Sequence, residues 1–173
     1  MKCNIHILSR NTTAMQEPNP LNQVAEFHRT FKHPIQAHPG IPSTERSNLR
    51  VSLLAEELQE LKQAIEDRNL VEIADALCDL QYVLSGAILE FGLGEQFKVL
   101  FDEVHRSNMS KACKTEEEAN HTVAHYRKNH QCDAYHKEED ELFLVYRKND
   151  NKTLKSINYS PADLKSLLFR DQL

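Results

Sequence analysis

Apolar residues recur every three or four positions in four stretches between residues 21 and 104. This spacing predicts four amphipathic helices. The first helix must end before His33, because Pro34 disfavours helical geometry in the residue that precedes it. The predicted helices cover residues 21–32, residues 44 or 47 to 66, residues 70–91, and a stretch that begins at about residue 97.

Two connections constrain how these helices are arranged. Only residues 67–69 separate the second helix from the third, so these two helices must pack antiparallel. Residues 33–43 contain Pro34, Pro39, Gly40 and Pro42, which are too many helix and strand breakers for a regular element. A loop of this length is often functional.

Beyond Lys111 the pattern changes. Thr115 and Glu118 form a capping-box sequence, which predicts a polar helix that ends near residue 128. The histidines of this region suggest zinc only superficially, because the sequence H-T-V-A-H lacks the glutamate of a metalloprotease and its histidines lie off the apolar helix face. The residues concerned are His121, His125, His130, Cys132 and His136.

The C-terminal third is predicted to end in a hairpin and a short helix. Residues 141–147 and 152–158 have the composition of strands around turn residues 149–151, and Ser160 with Pro161 predicts a helix start. A lone hairpin is marginal in water, so this part should pack on the core or on a partner subunit. We therefore expect a mainly α protein: a four-helix-bundle core in residues 1–112, and a helix, hairpin and short helix in residues 113–173.

Composition narrows the class of protein. With 173 residues, 40% hydrophobic and 27% charged, the chain suits one soluble domain. The net charge of −5 gives no positive field for nucleic acid, and no run approaches the ~20 apolar residues of a membrane span, nor do residues 1–10 look like a targeting segment. Four cysteines without a C-x-x-C pair imply reduced thiols. We expect a cytoplasmic protein with neither nucleic acid nor membrane as partner.

Carboxylates are concentrated on the second and third predicted helices. Glu57 and Glu60 are three residues apart on one helix, and Glu72 and Asp75 on the other, so each pair shares a helix face. The couples 57/75 and 60/72 share a midpoint at residue 66. An antiparallel hairpin folded there sets Glu57 against Asp75 and Glu60 against Glu72, on the flanks of the apolar stripes.

Four acids in a half-buried groove repel one another unless a cation joins them. Ligands that are all oxygen favour Mg²⁺ or Mn²⁺ over Zn²⁺, and the lack of Glu-x-x-His argues against a di-iron site. Taken alone, the sequence E-E-x-x-E is more often a solvated helix face. The second acidic pair, in register across a tight turn, makes a metal site the better interpretation.

Further candidates extend this site toward a polyphosphate ligand. Asp79 and Tyr82 continue the same side of the third helix and could supply an extra ligand and a base or sugar contact. At the end of the fourth helix, Asn108 and Lys111 offer an amide and an ammonium suited to phosphate oxygens. The alternative is that they are ordinary C-terminal helix residues, where lysine is favoured by the helix dipole.

Selection of a base would fall to the first helix and the loop after it. His28, Phe31 and His33 are candidates for stacking or edge contacts, although His28 shares an apolar stripe and is more readily a core or interface histidine. Arg46 and Arg50 could grip phosphate, but solvated arginines are commoner.

These motifs resemble those of the MazG-like all-α nucleoside triphosphate pyrophosphohydrolase superfamily, which includes phosphoribosyl-ATP pyrophosphohydrolases and dimeric dUTPases. The sequence E-E-x-x-E is formed by Glu56, Glu57 and Glu60, and E-x-x-D by Glu72 and Asp75. The resemblance covers about residues 21–111 and ends in V-H-R-S-N-M-S-K. The segment 115–173 lies outside it.

The resemblance implies Mg²⁺-dependent cleavage of a nucleoside triphosphate between its α- and β-phosphates, usually in a bundle completed by a second subunit. We expect a homodimer or homotetramer in which Glu57, Glu60, Glu72 and Asp75 hold the metal and Glu56 orients the attacking water. Two alternatives stay open: hydrolysis of phosphoribosyl-ATP, and a non-catalytic helical interaction module whose acids only solubilise it.

Overall fold

The computed structural model describes residues 15–169, so the segment 1–10 considered above lies outside it. The described chain is mainly helical with one small antiparallel hairpin near the C-terminus, which confirms the predicted fold class. Its elements, in order, are α1 Pro20–Phe31, α2 Thr44–Glu66, α3 Leu70–Glu90, α4 Phe97–Met109, α5 Glu116–His130, β1 Ala134–Glu139, β2 Leu142–Arg147 and α6 Leu164–Leu168.

The chain divides between Gly92 and Leu93 into two compact units. The first contains α1 to α3 and the second contains α4 to α6 with the hairpin. A boundary near residue 112 and a core of four helices stay predictions. None of the helices in residues 15–169 combines the length and the apolar composition that crossing a membrane requires.

In the first unit, α2 and α3 form an antiparallel helical hairpin as predicted. Side chains cap the start of both helices: the Ser43 hydroxyl accepts from the Arg46 N–H at 3.3 Å, and Asn69 Oδ1 accepts from the Val71 N–H at 3.1 Å. Such caps satisfy N–H groups that a helix cannot pair internally. Arg68, in the middle of the connection, takes a left-handed conformation with φ 54°.

The loop between α1 and α2 is fixed to the end of α3. The Gln36 N–H donates to the Leu89 carbonyl, and the Gly40 N–H to the Phe91 carbonyl, both at 3.1 Å. Gly92 ends α3 with φ +70°, and a Cβ there would lie 1.9 Å from the His38 carbonyl oxygen. The close approach of this loop to α3 therefore requires glycine at position 92.

The apolar stripes of α2 and α3 are buried only in part. Two helices cover only the sides that face each other, so several residues expected to point inward are exposed instead. They include Val51, Leu58, Ile65, Leu77 and Leu84. A row of exposed apolar residues of this extent is typical of an interaction surface.

In the second unit, α5 packs on the β-hairpin over a small core. Thr115 Oγ1 accepts from the Glu118 N–H at 3.1 Å, which confirms the predicted cap of this helix. Cys113 pairs with Phe143 through two backbone hydrogen bonds of 2.9 Å and so extends the sheet. The buried core residues are Cys113, Ala119, Ala134, Val145 and Leu154.

The predicted strand pairing in this unit is wrong. The strand β2 was expected to pair with residues 152–158, but it pairs with β1, and residue 153 makes only a single bridge with Tyr146. The turn consists of Asp140 and Glu141, both with positive φ. Glycine or asparagine usually occupies such turns. Because neither residue is present at positions 140 and 141, the sequence did not indicate a turn there. The last helix also starts later than predicted, after a cap by Asp163.

Candidate active site

The acidic residues of the helical hairpin lie along both helices of the first unit. Glu57 on α2 and Asp79 on α3 are half-buried, whereas the other acids named above are exposed. None of these carboxylates forms an ion pair with a basic side chain in residues 15–169, since the salt bridges there involve other acids. The hairpin therefore carries a concentration of negative charge that the described protein does not balance.

Glu57 is the residue at which these charges meet. Its pKa is raised, first by burial and then by the carboxylates of Asp79, Glu60, Glu56 and Asp75, in that order. Both helices thus place acids within electrostatic reach of Glu57. Asp79 acts more strongly than Asp75, the residue that sequence reasoning set opposite. Glu72 is exposed and is not among these neighbours.

Within residues 15–169, no three side chains of His, Cys, Asp or Glu lie close enough together to hold an ion as they stand. Carboxylates without a counter-charge repel one another and favour such separation. Their chemistry nevertheless fits a hard dication, because all the donors are oxygen and an unbalanced negative charge surrounds the raised-pKa group Glu57. Of the predicted ligands, Glu57, Glu60 and Asp75 share one electrostatic neighbourhood.

A cavity of about 230 Å³ lies in the same unit between α1, α2 and α3. Aromatic rings form much of its wall. Phe27 and His33 stack with an interplanar angle of 18° and ring centres 5.7 Å apart, and Phe27 meets the edge of Tyr82 at 5.6 Å. Predicted base contacts His28, His33 and Tyr82 all line this cavity. Phe27, which sequence reasoning left in the apolar stripe of α1, joins them.

The other two candidates of α1 have different environments. His28 is 2% exposed, and its Nδ1–H donates to the Pro34 carbonyl at 2.8 Å. Burial lowers the pKa of His28, which favours the neutral form of the ring. His28 is therefore a core histidine, one edge of which lines the cavity. Phe31 is 61% exposed and packs on Phe27 with ring centres 4.4 Å apart, outside the lining of the cavity.

Sequence reasoning missed Glu90, the buried centre of an ion network. Its carboxylate is 1% exposed and accepts hydrogen bonds from the guanidinium groups of Arg46 and Arg50. Burial alone would raise the pKa of Glu90, but these bonds lower it overall. The two arginines are therefore engaged with Glu90. The available signal was an acid at the end of the apolar run 85–90, all of which is buried.

One glycine makes room for this network. A Cβ at Gly86 would lie 2.8 Å from Arg50 Nη1 and 3.1 Å from His28 Nε2. These two buried side chains thus pack directly over the backbone of α3. Glycine at position 86 is therefore required for Arg50 and His28 to pack in the positions that form this part of the cavity wall.

Asn108 and Lys111 lie in the second unit, at the end of α4. The Lys111 ammonium donates to Asn108 Oδ1 at 2.7 Å. Asn108 is exposed and Lys111 half-buried. The structure thus brings these two predicted phosphate contacts together as a pair.

The acidic residues on both helices of the hairpin and the adjacent cavity together form the candidate site of the first unit. Residues 24–108 match the model of the phosphoribosyl-ATP pyrophosphohydrolase family, which belongs to the MazG-like superfamily. The match covers just under half of the chain. It coincides with the stretch on which the sequence resemblance rests.

The chain is also similar to an uncharacterized protein of Acanthamoeba polyphaga mimivirus. The two are 34% identical over 92 residues, which cover 51% of this chain and 37% of the viral protein. The aligned region thus spans little more than a third of the length of this relative.

Proposed function

We propose that the protein is a Mg²⁺-dependent pyrophosphohydrolase that cleaves a ribo- or deoxyribonucleoside triphosphate between the α- and β-phosphates. The products are a nucleoside monophosphate and pyrophosphate. The observation that carries the proposal is the concentration of carboxylates from both helices of the hairpin around half-buried Glu57, whose pKa is raised by burial and by these neighbours. Such a concentration of acids is expected where a divalent cation and a polyphosphate bind.

In this proposal Glu57, Glu60, Glu72 and Asp75 hold Mg²⁺, and Mn²⁺ would also suit them. The bound cation would supply positive charge that offsets the charge of the triphosphate. Glu56 accepts a hydrogen bond from the attacking water and takes its proton as the water oxygen bonds to the α-phosphorus. The bond from that phosphorus to the bridging oxygen breaks in line, and pyrophosphate leaves.

The remaining candidates serve the substrate. Asp79 supplies an extra ligand beside the metal and Tyr82 contacts the sugar or base of the substrate, while Asn108 and Lys111 donate to phosphate oxygens. The base occupies the aromatic cavity, so we assign it to His33 and to the edge of His28. Phe31 supports the cavity wall through Phe27.

Phosphoribosyl-ATP is the second candidate substrate, and the family match of residues 24–108 favours it. The same carboxylates and the same bond cleavage serve both substrates. The two candidates therefore differ only in the nucleoside part of the substrate that the site must accept. The exposed apolar residues of α2 and α3 support a homodimer or homotetramer as the working state.

A screen for pyrophosphate release tests the proposal. Purified protein is offered each NTP, each dNTP and phosphoribosyl-ATP, with Mg²⁺ or with EDTA. We expect release from at least one of them, and none with EDTA. Glu60→Gln and Asp75→Asn should abolish release while the helical circular dichroism spectrum is kept. The matched control is Glu66→Gln, an exposed glutamate near the end of the same helix.

Two results would contradict the proposal. Unchanged turnover in Glu60→Gln or Asp75→Asn would remove the acidic site. No release from any substrate, with or without Mg²⁺, would favour the remaining alternative, a non-catalytic helical interaction module.

A further inference from the structure

The segment 156–163, which lies beyond the family-matched residues, is bonded to the last turns of α4. Tyr159 and Ser160 make the central contacts. The Tyr159 hydroxyl and the Ser107 hydroxyl are 2.9 Å apart, and the Ser160 N–H donates to Ser110 Oγ at 2.9 Å. Three further bonds flank these two: Arg106 Nη2 to the Pro161 carbonyl at 3.0 Å, the Asp163 N–H to Glu103 Oε1 at 2.9 Å, and the Ser156 N–H to the Lys111 carbonyl at 3.2 Å.

These contacts occupy one side of α4 and leave another free. Successive residues of a helix point about 100° apart, so the side chain of Asn108 lies on a different side of α4 from that of Ser107. Ser107 is buried, whereas Asn108 is exposed. The segment 156–163 therefore fixes the backbone of the turn and leaves Asn108 exposed, with Lys111 half-buried beside it.

That pair offers several hydrogen-bond donors. While Asn108 Oδ1 accepts from the Lys111 ammonium, the Asn108 NH₂ and the remaining ammonium hydrogens are available to donate. Phosphate oxygens are the matching acceptors. Both Lys111 and Lys155 act on the hydroxyl of Tyr159, and the Lys155 ammonium lies 4.2 Å from the centre of the Tyr159 ring.

Two carbonyls at and just after the end of α4, which would oppose an anion, are paired, one of them by the segment 156–163. The C-terminal end of a helix carries partial negative charge on its unpaired carbonyls. Here the Ser107 carbonyl accepts from Ser110 Oγ at 2.7 Å, and the Lys111 carbonyl accepts from the Ser156 N–H. Paired carbonyls compete less for the donors of Asn108 and Lys111.

We propose that Tyr159 and Ser160 are positioning residues, which hold the end of α4 so that Asn108 and Lys111 present their donors together to the phosphate chain of the substrate. The inference rests on the proposed function, in which this pair binds phosphate. It assigns a role to the segment 156–163, which lies outside the residues that match the family.

The test compares Tyr159→Phe with Tyr135→Phe in the full chain. Both variants lose one tyrosine hydroxyl in the second unit, but Tyr135 bonds to Asn151 at 2.8 Å, remote in sequence from α4. For Tyr159→Phe we expect KM of the best substrate to rise about three- to tenfold, with kcat unchanged, as for loss of uniform binding. The inhibition constant of pyrophosphate should rise by the same factor. Tyr135→Phe should match the wild type.

A second variant keeps the test decisive if Tyr159→Phe folds poorly. Ser107→Ala removes the same hydrogen bond from the other side, so it should reproduce the rise in KM, and the double variant should show no further increase. Equal KM values in Tyr159→Phe, Ser107→Ala and the wild type would overturn the positioning role and leave the proposed function intact.

Absence of turnover in the wild type would instead overturn the proposed function. Calorimetric binding of pyrophosphate to the same variants then decides the inference separately. Weaker binding by Tyr159→Phe than by Tyr135→Phe supports positioning of a phosphate-binding pair. Equal binding, or no binding by any of the proteins, overturns it.

Discussion

Glu57 of α2 and Asp79 of α3 are coupled across the helical hairpin. Burial raises the pKa of Glu57 most, and among the neighbouring charges the carboxylate of Asp79 contributes most. The midpoint of positions 57 and 79 is residue 68, the centre of the connection between the helices. The two residues therefore occupy facing positions of an antiparallel pair, on which a divalent cation is proposed to bind.

Asp79→Asn should stabilise the metal-free protein and weaken its response to Mg²⁺. The substitution removes a like charge from the surroundings of Glu57, a relief of roughly 0.5 kcal/mol for partly solvated groups. In a chain of this size that corresponds to a rise in Tm of about 1–2 °C without divalent ions. Thermal unfolding with EDTA and with Mg²⁺ measures both effects. Asp102→Asn on α4, which removes an exposed carboxylate paired with Lys98, is the control. A lower Tm without metal would contradict the coupling.

Glu90→Gln should destabilise the protein by about 3–5 kcal/mol, because it leaves the charges of Arg46 and Arg50 without their buried partner. Denaturant unfolding at pH 7 measures this loss. Glu66→Gln, which affects only an exposed pair with Lys62, should cost less than about 1 kcal/mol. A similar small loss in both variants would mean that the network contributes little.

The same carboxylate gives a pH dependence of known sign. The pKa of Glu90 is lowered in the folded protein by hydrogen bonds from Arg46 and Arg50, which outweigh the effect of burial. A lowered carboxyl pKa means that its contribution is present above the ordinary value of about 4.5 and is lost as the pH falls toward the folded value. We expect the denaturant midpoint of unfolding of the wild type to decrease as the pH is lowered below about 4.5. The midpoint of Glu90→Gln should decrease less over the same range. Parallel pH profiles would exclude Glu90 as the source.

The helices of the first unit could be predicted closely because their signals are local. Apolar spacing and the short connection place the end of α2 and both ends of α3 within one residue of the structure, and α2 begins at residue 44, the earlier of its two predicted starts. The register of the acids on the two helices differs from the predicted one by about one helical turn. Asp79, rather than Asp75, is the carboxylate that acts most strongly on Glu57. The midpoint at residue 66 ignored the length of the connection, whose centre is Arg68.

Features that depend on long-range contacts could not be predicted. Glu90 pairs with arginines about 40 residues away, and nothing in the local sequence of α3 specifies those partners. The turn at Asp140 and Glu141 uses left-handed backbone without glycine, so the hairpin is set by packing against α5 rather than by turn chemistry. The contact of Tyr159 with α4 is of the same kind.

Gly92→Ala should destabilise the protein by at least about 1–3 kcal/mol. The backbone at this position is left-handed, and the new Cβ would overlap the His38 carbonyl, so the loop 33–43 would have to move from the end of α3. Gly40→Ala is the matched control, because its Cβ would meet the end of the flexible Gln36 side chain at 3.3 Å and the His38 carbonyl oxygen at an ordinary contact distance of 3.9 Å. Denaturant unfolding compares the two, and equal stabilities would contradict the proposed fit of loop and helix.

His33→Ala should alter the preference among nucleotides more than Phe31→Ala does. His33 lines the aromatic cavity and stacks with Phe27, whereas Phe31 lies outside the lining. Loss of a stacking partner for a base is worth about 1–3 kcal/mol, which corresponds to a KM roughly 5- to 150-fold higher for the preferred base. KM values for a panel of dNTPs with each variant test this expectation. If Phe31→Ala changed the order of preference and His33→Ala did not, the base would be read outside the cavity.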